Sequence, residues 1–511
     1  MSPDTPSPVV TAVVLAAGEG TRMKSPRRPK VLHGFAGRSL LGHALAALDA
    51  VAPATTLVVV GHRRDEVTAH LAEIAPGADA VVQSEQLGTG HAVQVALAST
   101  AATSSATTSS APPPAAGREI VLVIPADAPL LRSETLHQLV SEQAGSEAAA
   151  TMLTALVDDP TGYGRVLRSA DLDTLGSVAR VVEEADATPA QREIREVAAS
   201  VYAFDAALLR DALARLSSDN AQGELYLPDV IGIFVGDQRP VQALITVAEE
   251  TAGVNTRAQL AQAHRHYNDR LLRRHMEAGV TVVDPATTWV DADVTLEADV
   301  TLRPSVELFG ATSIAAGASI GPDVSLTDCE VGEDSRVSRT VAVSARIGAR
   351  CEIGPFAYLR PGTDLADEVK IGTYVEVKGS DIGTGSKVPH LSYVGDASIG
   401  EHTNIGAASV FVNYDGVTKR RSVIGSHART GADNMFVAPV NVGDGAYTAA
   451  GSVITNDVPP GAMAVGRARQ RNVEGWVARS RAGTDAARAA ELAQAQQDQQ
   501  DSTNSEEHDP T

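Results

Sequence analysis

Near the N-terminus, Leu15-Ala16-Ala17-Gly18-Glu19-Gly20-Thr21-Arg22 follows a run of Val and Ala and opens into a basic segment with Lys24, Arg27, Arg28 and Lys30. Small residues let backbone N–H groups come close to a phosphate, and the cations can neutralise it. The pattern is not a dinucleotide fingerprint, since Met23 stands where a third glycine belongs, nor a Walker loop, since no Gly-Lys-Ser/Thr follows. A cation cluster in an acidic chain still points to an anionic ligand. Gln83, with Gly88, Thr89 and Gly90 close behind it, offers an amide and bare backbone donors to the edge of a pyrimidine. Asp127 follows the apolar run Val121 to Ile124, at the end of a strand where an open parallel sheet puts its ligands. A carboxylate there can hold Mg²⁺ between phosphates, or simply cap the next helix. Asn255 is a neutral oxygen partner for the same ion, or a helix N-cap before Thr256.

A second group lies far downstream, in His390-Leu391-Ser392-Tyr393-Val394-Gly395-Asp396. A lone histidine in a repeat array is more often a solvated corner residue than a catalyst. Here Arg360, Lys378, Tyr393 and Asn404 fall at intervals that a stack of coils brings to one face. Two cations suit a sugar phosphate, and an imidazole suits removal of a proton from an amine.

Two kinds of scaffold must position these groups. Up to about Asn255, short apolar runs alternate with helical stretches, which predicts a mostly parallel sheet with helices on its faces. Residues 101–117 interrupt it with Ser, Thr, Ala and three consecutive prolines, a low-complexity surface insertion. Between residues 256 and 279 the positions Leu260, Ala263, Tyr267 and Leu271 recur at three- and four-residue steps, a linker helix. From Val280 an aliphatic residue is repeatedly followed by Gly, and Ile353, Leu359, Leu365, Ile371 and Val377 fall six residues apart without a break. That period winds a β-solenoid, in which each hexad lays one short strand, its aliphatic residue fills the shaft and the small residue clears the corner. The domains read as 9–255, a linker 256–279, the solenoid 280–482, and a tail 483–511, rich in Ala, Gln, Asp and Glu, expected to be disordered.

Composition narrows the partners. The 511 residues carry 42 Lys+Arg against 63 Asp+Glu, a formal charge of -21, which argues against general nucleic-acid or anionic-membrane binding. Only Cys329 and Cys351 are present, with no zinc-spaced cluster, so a reducing cytoplasm is the expected compartment. Neither a basic signal-peptide start nor an apolar run long enough for a membrane span is found.

Leu15 to Met23 with Pro29-Lys30-Val31-Leu32, Gln83 to Gly90, Asp159 to Arg165 (Asp-Pro-Thr-Gly-Tyr-Gly-Arg), Asn220 to Glu224, Gly253-Val254-Asn255, and the solenoid segments Arg360-Pro361-Gly362, Val377-Lys378, His390 to Asp396, Asn404 to Ala407 and Asn413 to Gly416 make an ordered series. It resembles the bacterial GlmU family, bifunctional N-acetylglucosamine-1-phosphate uridyltransferases and glucosamine-1-phosphate acetyltransferases, from about Val9 to Trp476. The resemblance implies a Rossmann-like α/β nucleotidyltransferase domain followed by a left-handed parallel β-helix of hexapeptide repeats, assembled as a homotrimer with acetyltransferase sites shared between subunits. It implies that Leu15, Ala16, Ala17, Gly18, Lys30, Gln83, Gly88 and Thr89 hold the uridine nucleotide, that Asp127 and Asn255 bind Mg²⁺, and that Gly164 and Glu183 contact the sugar. Arg22 joins Lys30 as a cation facing the triphosphate of UTP. In the solenoid it implies His390 as general base, Arg360, Lys378, Tyr393 and Asn404 around glucosamine-1-phosphate, and Ala407, Asn413, Tyr414, Ala432, Ala450 and Arg467 along acetyl-CoA.

Several positions depart from the family pattern. Ala126-Asp127 replaces Gly-Asp, with a methyl group expected to crowd the ligand, and the stretch from Arg22 to Lys30 is one residue longer. Ala198-Ala199-Ser200 stands where Asn-x-Gly is usual, which removes a sugar-binding amide, a contact worth about 1–3 kcal/mol. Ala408 replaces a Gly and Ala432 a Ser beside the cofactor. Beside the bifunctional enzyme, two alternatives stay open: an acetyltransferase with a weakened or lost uridyltransferase site, and a nucleotidyltransferase whose solenoid only trimerises.

Overall fold

A computed structural model describes residues 8–104, 118–169 and 177–506. Residues 105–117 of the low-complexity insertion, 1–7 of the N-terminal stretch and 507–511 of the tail lie outside the described residues.

The Val- and Ala-rich runs of the first half are buried on both faces, as strands covered by helices must be. They form β1 (Val9–Leu15), β2 (Thr55–Val60), β3 (Asp79–Val82), β4 (Glu119–Pro125), β5 (Ala150–Leu156), β6 (Arg165–Arg168), β7 (Val178–Val182), β8 (Glu196–Asp205) and β9 (Val241–Thr246). The sheet order is β9-β5-β8-β4-β1-β2-β3. β1 runs parallel to β2 and β4, but β8 is antiparallel to both β4 and β5. The sheet is therefore mixed but mostly parallel, as the alternation predicted, with β8 the one reversed strand along that order. The chain leaves it as the antiparallel pair β6–β7 and re-enters through β8 without the long helical crossover that a parallel return needs.

In the second half, strands of two to four residues stack into three parallel sheets of seven, ten and nine strands, a parallel β-helix. Ile353 pairs with Ile371, three hexads on, whereas Val377 pairs with Val394, one residue short of that, because a five-residue step ends at Ile382. The aliphatic residues make one continuous core from Leu271 to Val458. The small residue after each has a steric cause: a β-carbon on Gly348 would come within 2.6 Å of the Ala366 backbone in the next coil. The hexad rhythm does not foretell an excursion at residues 413–421, closed by an antiparallel bridge between Tyr414 and Lys419.

The linker helix Arg257–Glu277 starts in a capping box between Thr256 and Gln259. Fully buried Asn268 donates to Thr288 O (2.8 Å) and accepts from Val290 N–H (3.0 Å), docking the helix on the first coil. On the domain side, Phe35, His43 and Tyr267 meet edge to face, with centroids 4.6–5.3 Å apart. Ala292 N–H donates to Ala36 O (3.1 Å), and Arg38 pairs with Asp293. Beyond the solenoid the structure corrects the expectation of a disordered tail: Asp485–Glu506 is a helix. Its Ala, Gln, Glu and Arg are strong helix formers, a propensity that low apolar content does not cancel.

Gly372 lies in the strand Lys370–Thr373, whose Thr373 pairs with His390, and a β-carbon there would sit inside the van der Waals shell of Pro389 O. We predict that Gly372→Ala lowers solenoid stability by about 1–3 kcal/mol. Denaturant unfolding followed in the C-terminal half checks this.

Candidate functional sites

The C-terminal ends of β1 and β4 open onto a cavity of about 330 Å³. Leu15, Ala16, Ala17, Gly18, Lys30, Gln83, Gly88, Thr89 and Asp127, all expected there, line it together with Gly20, Gln86, Ser200 and Glu224, which sequence reasoning had not assigned. A larger cavity of about 750 Å³ beside Arg38, His70 and Asp293 is remote from this chemistry. Gly20, at φ +67°, is needed because a β-carbon would lie 2.5 Å from Lys30 Cβ. Gly88 is needed because one would lie 2.6 Å from Leu225 O. Gln83 is buried and donates to Gly88 O (3.1 Å), and Thr89 Oγ1 accepts from Leu227 N–H (3.0 Å).

Lys30 Nζ pairs with the Asp127 carboxylate and donates to Asn255 Oδ1 at 2.7 Å. The ammonium thus draws together three segments far apart in sequence. Thr256, not Asn255, caps the linker helix, which leaves the Asn255 side chain free for this contact. Nor is Asp127 a helix cap: it follows β4, and its backbone oxygen accepts from Val254 N–H (2.8 Å). Among the described residues no group of three or more His, Cys, Asp or Glu is placed to hold a metal. Even so, one carboxylate and one amide oxygen converging on a cation are hard donors of the kind Mg²⁺ takes, since it keeps the rest of its shell for phosphates and water. The pair fits that ion.

Gly164 and Glu183 adjoin one another: a β-carbon on Gly164 would lie 3.3 Å from Glu183 Oε1. Behind them buried Arg165 pairs with Glu184 (2.7 Å) and donates to the backbone oxygens of Tyr163 and Arg192. Burial pushes the Glu183 carboxyl above its ordinary range, and the carboxylates of Asp229 and Asp186 add to it. Arg22 is exposed and outside the cavity wall. Ala126, the position expected to crowd the ligand, is 1% exposed, packs in the core with Ala16 and Val31, and is not part of the cavity wall.

On the solenoid, Arg360 pairs with Glu376 (2.8 Å) and Lys378 with Asp396 (3.1 Å), and Asn413 donates to Asp396 at 2.6 Å. The register puts Glu376 opposite Tyr393 and Lys378 opposite Gly395. Burial alone would raise the Asp396 pKa, but the Lys378 ammonium and the Asn413 amide hold it below the ordinary carboxylate range. Glu376 and Asp396 are the partners that sequence reasoning missed; only their one-coil spacing from Arg360 and Lys378 signalled them. His390 is exposed on the other side of the corner made by Leu391 (φ +50°), and its backbone oxygen accepts from Ala408 N–H (3.2 Å). Asn404 bridges to Lys387 one coil below, apart from the ion-pair network. Ala407, Ala432 and Ala450 belong to successive coils linked by Asp433 N–H to Ala407 O (2.7 Å) and Gly451 N–H to Ala432 O (2.9 Å). Arg467 lies just above, near Gly451, and Tyr414 is exposed on the excursion.

A MobA-like NTP transferase domain matches residues 12–226. Along nearly its whole length the chain is 54% identical to the bifunctional protein GlmU of Streptomyces avermitilis, over 94% of this chain and 96% of that one. The chain belongs to the GlmU family. GlmU of Thermobifida fusca is 54% identical (97% and 99% covered) and that of Mycobacterium sp. strain KMS 51% (96% of each). Family membership accounts for the two separated polar sites on one chain. Cys329 and Cys351 are buried free thiols, and no helix among the described residues is long and apolar enough to cross a membrane.

Because the Glu183 pKa is raised by folding, its contribution to stability is present below the ordinary glutamate range and is lost as pH rises through the raised value. Glu183→Gln should therefore remove part of the stability difference between about pH 4 and pH 8. Thermal unfolding of variant and parent across that range measures it.

Proposed function

We propose that this chain carries out two consecutive transfers: acetylation of glucosamine-1-phosphate by acetyl-CoA on the solenoid, then transfer of UMP from UTP to the N-acetylglucosamine-1-phosphate formed, with release of pyrophosphate. The product, UDP-N-acetylglucosamine, would feed cell-wall precursors in the cytoplasm. The observation that carries this is the convergence of Lys30, Asp127 and Asn255 at a glycine-lined cavity. The names of its relatives, bifunctional GlmU, support it.

In the first domain, the backbone of Leu15 to Gly18 with Gln83, Gly88 and Thr89 would hold the nucleotide, and Gly164 and Glu183 the sugar. Asp127 and Asn255 would hold Mg²⁺, which supplies charge neutralisation between phosphates. Lys30 and Arg22 spread the remaining charge of the triphosphate. A phosphate oxygen of the sugar attacks the α-phosphorus in line, and the bond to the departing pyrophosphate breaks, with no covalent protein nucleophile.

On the solenoid, His390 takes a proton from the amine, whose lone pair then attacks the thioester carbonyl, and CoA leaves as its thiol. Arg360 and Lys378 would hold the sugar phosphate, with Tyr393 and Asn404 on the sugar. Ala407, Asn413, Tyr414, Ala432, Ala450 and Arg467 would run along acetyl-CoA. A trimer completes this site in our reading. It is supported by an exposed apolar ladder on one corner, Phe356, Tyr374 and Leu391 at 51%, 60% and 60% exposure, with the first two rings stacked at 5.4 Å. A passive solenoid would not need Arg360 and Lys378 on one face, each held by a carboxylate partner.

His390→Ala should abolish thiol release from acetyl-CoA and leave UTP-dependent pyrophosphate release intact, while Asp127→Asn does the reverse. Paired assays on the two folded variants decide it, and loss of both activities in either one refutes the two-site assignment.

A further inference from the structure

The basic loop that leads to Lys30 is held by little of its own. Pro26 and Pro29 have no N–H, and among the described residues the N–H groups of Ser25, Arg27 and Arg28 make no hydrogen bond. Nor do the Arg27 and Arg28 guanidinium groups form an ion pair among these residues. What grips the loop is Arg63, which follows β2. Its Nη1 donates to Pro26 O (3.1 Å) and its Nη2 to Arg27 O (3.0 Å). The same guanidinium is oriented from behind by Glu66, through Nε (2.6 Å) and Nη2 (2.7 Å). The segment carrying it also touches the start of the glycine-rich loop, since His62 N–H donates to Ala17 O at 3.3 Å. One turn thus fastens both ends of the phosphate-facing loop. Arg63 itself sits at φ +50°, a conformation costly for any residue but glycine, and such strain persists where surrounding contacts over-determine it.

We propose that Arg63 is a positioning residue for the nucleotide triphosphate, a clamp that holds the Lys24–Pro29 loop so that its cations and Lys30 face the phosphates. The proposal rests on the uridyltransferase reading. Its chemistry is specific to a guanidinium: a planar fork makes four hydrogen bonds at once, to two carbonyls and both oxygens of a carboxylate, whereas an ammonium has three N–H donors. Binding of a polyanion to an unclamped loop must first order it, and that cost falls on UTP alone.

The test uses the full chain with Arg63→Gly and Arg63→Lys. Glycine removes the clamp while suiting the positive φ, so loss of folding is not the expected cause of any defect. In both variants KM for UTP should rise about tenfold, with KM for N-acetylglucosamine-1-phosphate and the acetyltransferase rate unchanged. Trypsin should cut after Lys24 and Arg27 faster than in the parent, and saturating UTP should restore protection. A KM for UTP within about twofold of the parent, or equal losses in both activities, overturns the clamp. A parent chain that releases no pyrophosphate would instead bring down the uridyltransferase reading. The clamp then stands or falls on whether Arg63→Gly speeds the tryptic cuts.

Discussion

The ammonium of Lys30, held between the Asp127 carboxylate and the Asn255 amide oxygen, is the contact on which the first domain's site depends. Its carboxylate partner follows β4, its amide partner precedes the linker helix, and it lies itself on the loop from β1. Attraction between unit charges near a protein surface is about 4 kcal/mol at 4 Å, against about 1 kcal/mol net for an ordinary hydrogen bond. The side chains of Lys30 and Asp127 are 11% and 24% exposed, so solvent screens this pair less than the surface pairs around it. It holds the loop after β1 against the strand ends and the start of the helix to the solenoid.

That helix transmits position because two adjacent residues at its middle fasten it to both domains. Asn268 satisfies two backbone groups of the first coil, and Tyr267 completes the aromatic cluster with Phe35 and His43. Burial pushes the His43 pKa down to about 4, although its Nε2 donates to Phe35 O at 2.6 Å. The ring is neutral near pH 7, and the junction carries no buried charge from it. Along the solenoid, alignment follows from coil length instead. Once Val377 lies beside Val394, Glu376 must face Tyr393 and Lys378 must face Gly395, and the charged residues one coil apart become neighbours.

Legibility in the sequence tracks the range of the physics. Hexads are local, so Ile353 to Val377 announced the solenoid and its core directly. The strand-end position of Asp127 and the glycines of the loop after β1 were also local, and they appear in the cavity wall. What depends on return paths was not readable: β8 enters antiparallel after an excursion whose direction no periodicity encodes. Asp396 and Glu376 matter through partners one coil away, and a single residue's neighbourhood in sequence says nothing of them. The tail helix was missed for another reason, since low apolar content says nothing against Ala- and Gln-rich segments adopting helix.

The departures from the family pattern separate scaffold from recognition. Ala198 lacks the amide, yet its backbone N–H still donates to Gly164 O at 2.9 Å, and the pairing of β8 with β5 shifts register between Ala198 and Tyr202. Ser200 occupies the shift at φ +57°, where glycine would be unstrained, and its side chain lines the cavity. Holding a serine there costs about 1 kcal/mol or more, so the surrounding ladder must be strong enough to impose the bulge without glycine's help. The bulge is therefore held through main-chain bonds, and of the two changed side chains only that of Ser200 reaches the cavity wall. Lys30, Gln83, Gly88 and Thr89, which line the same cavity, are unaltered against the family pattern.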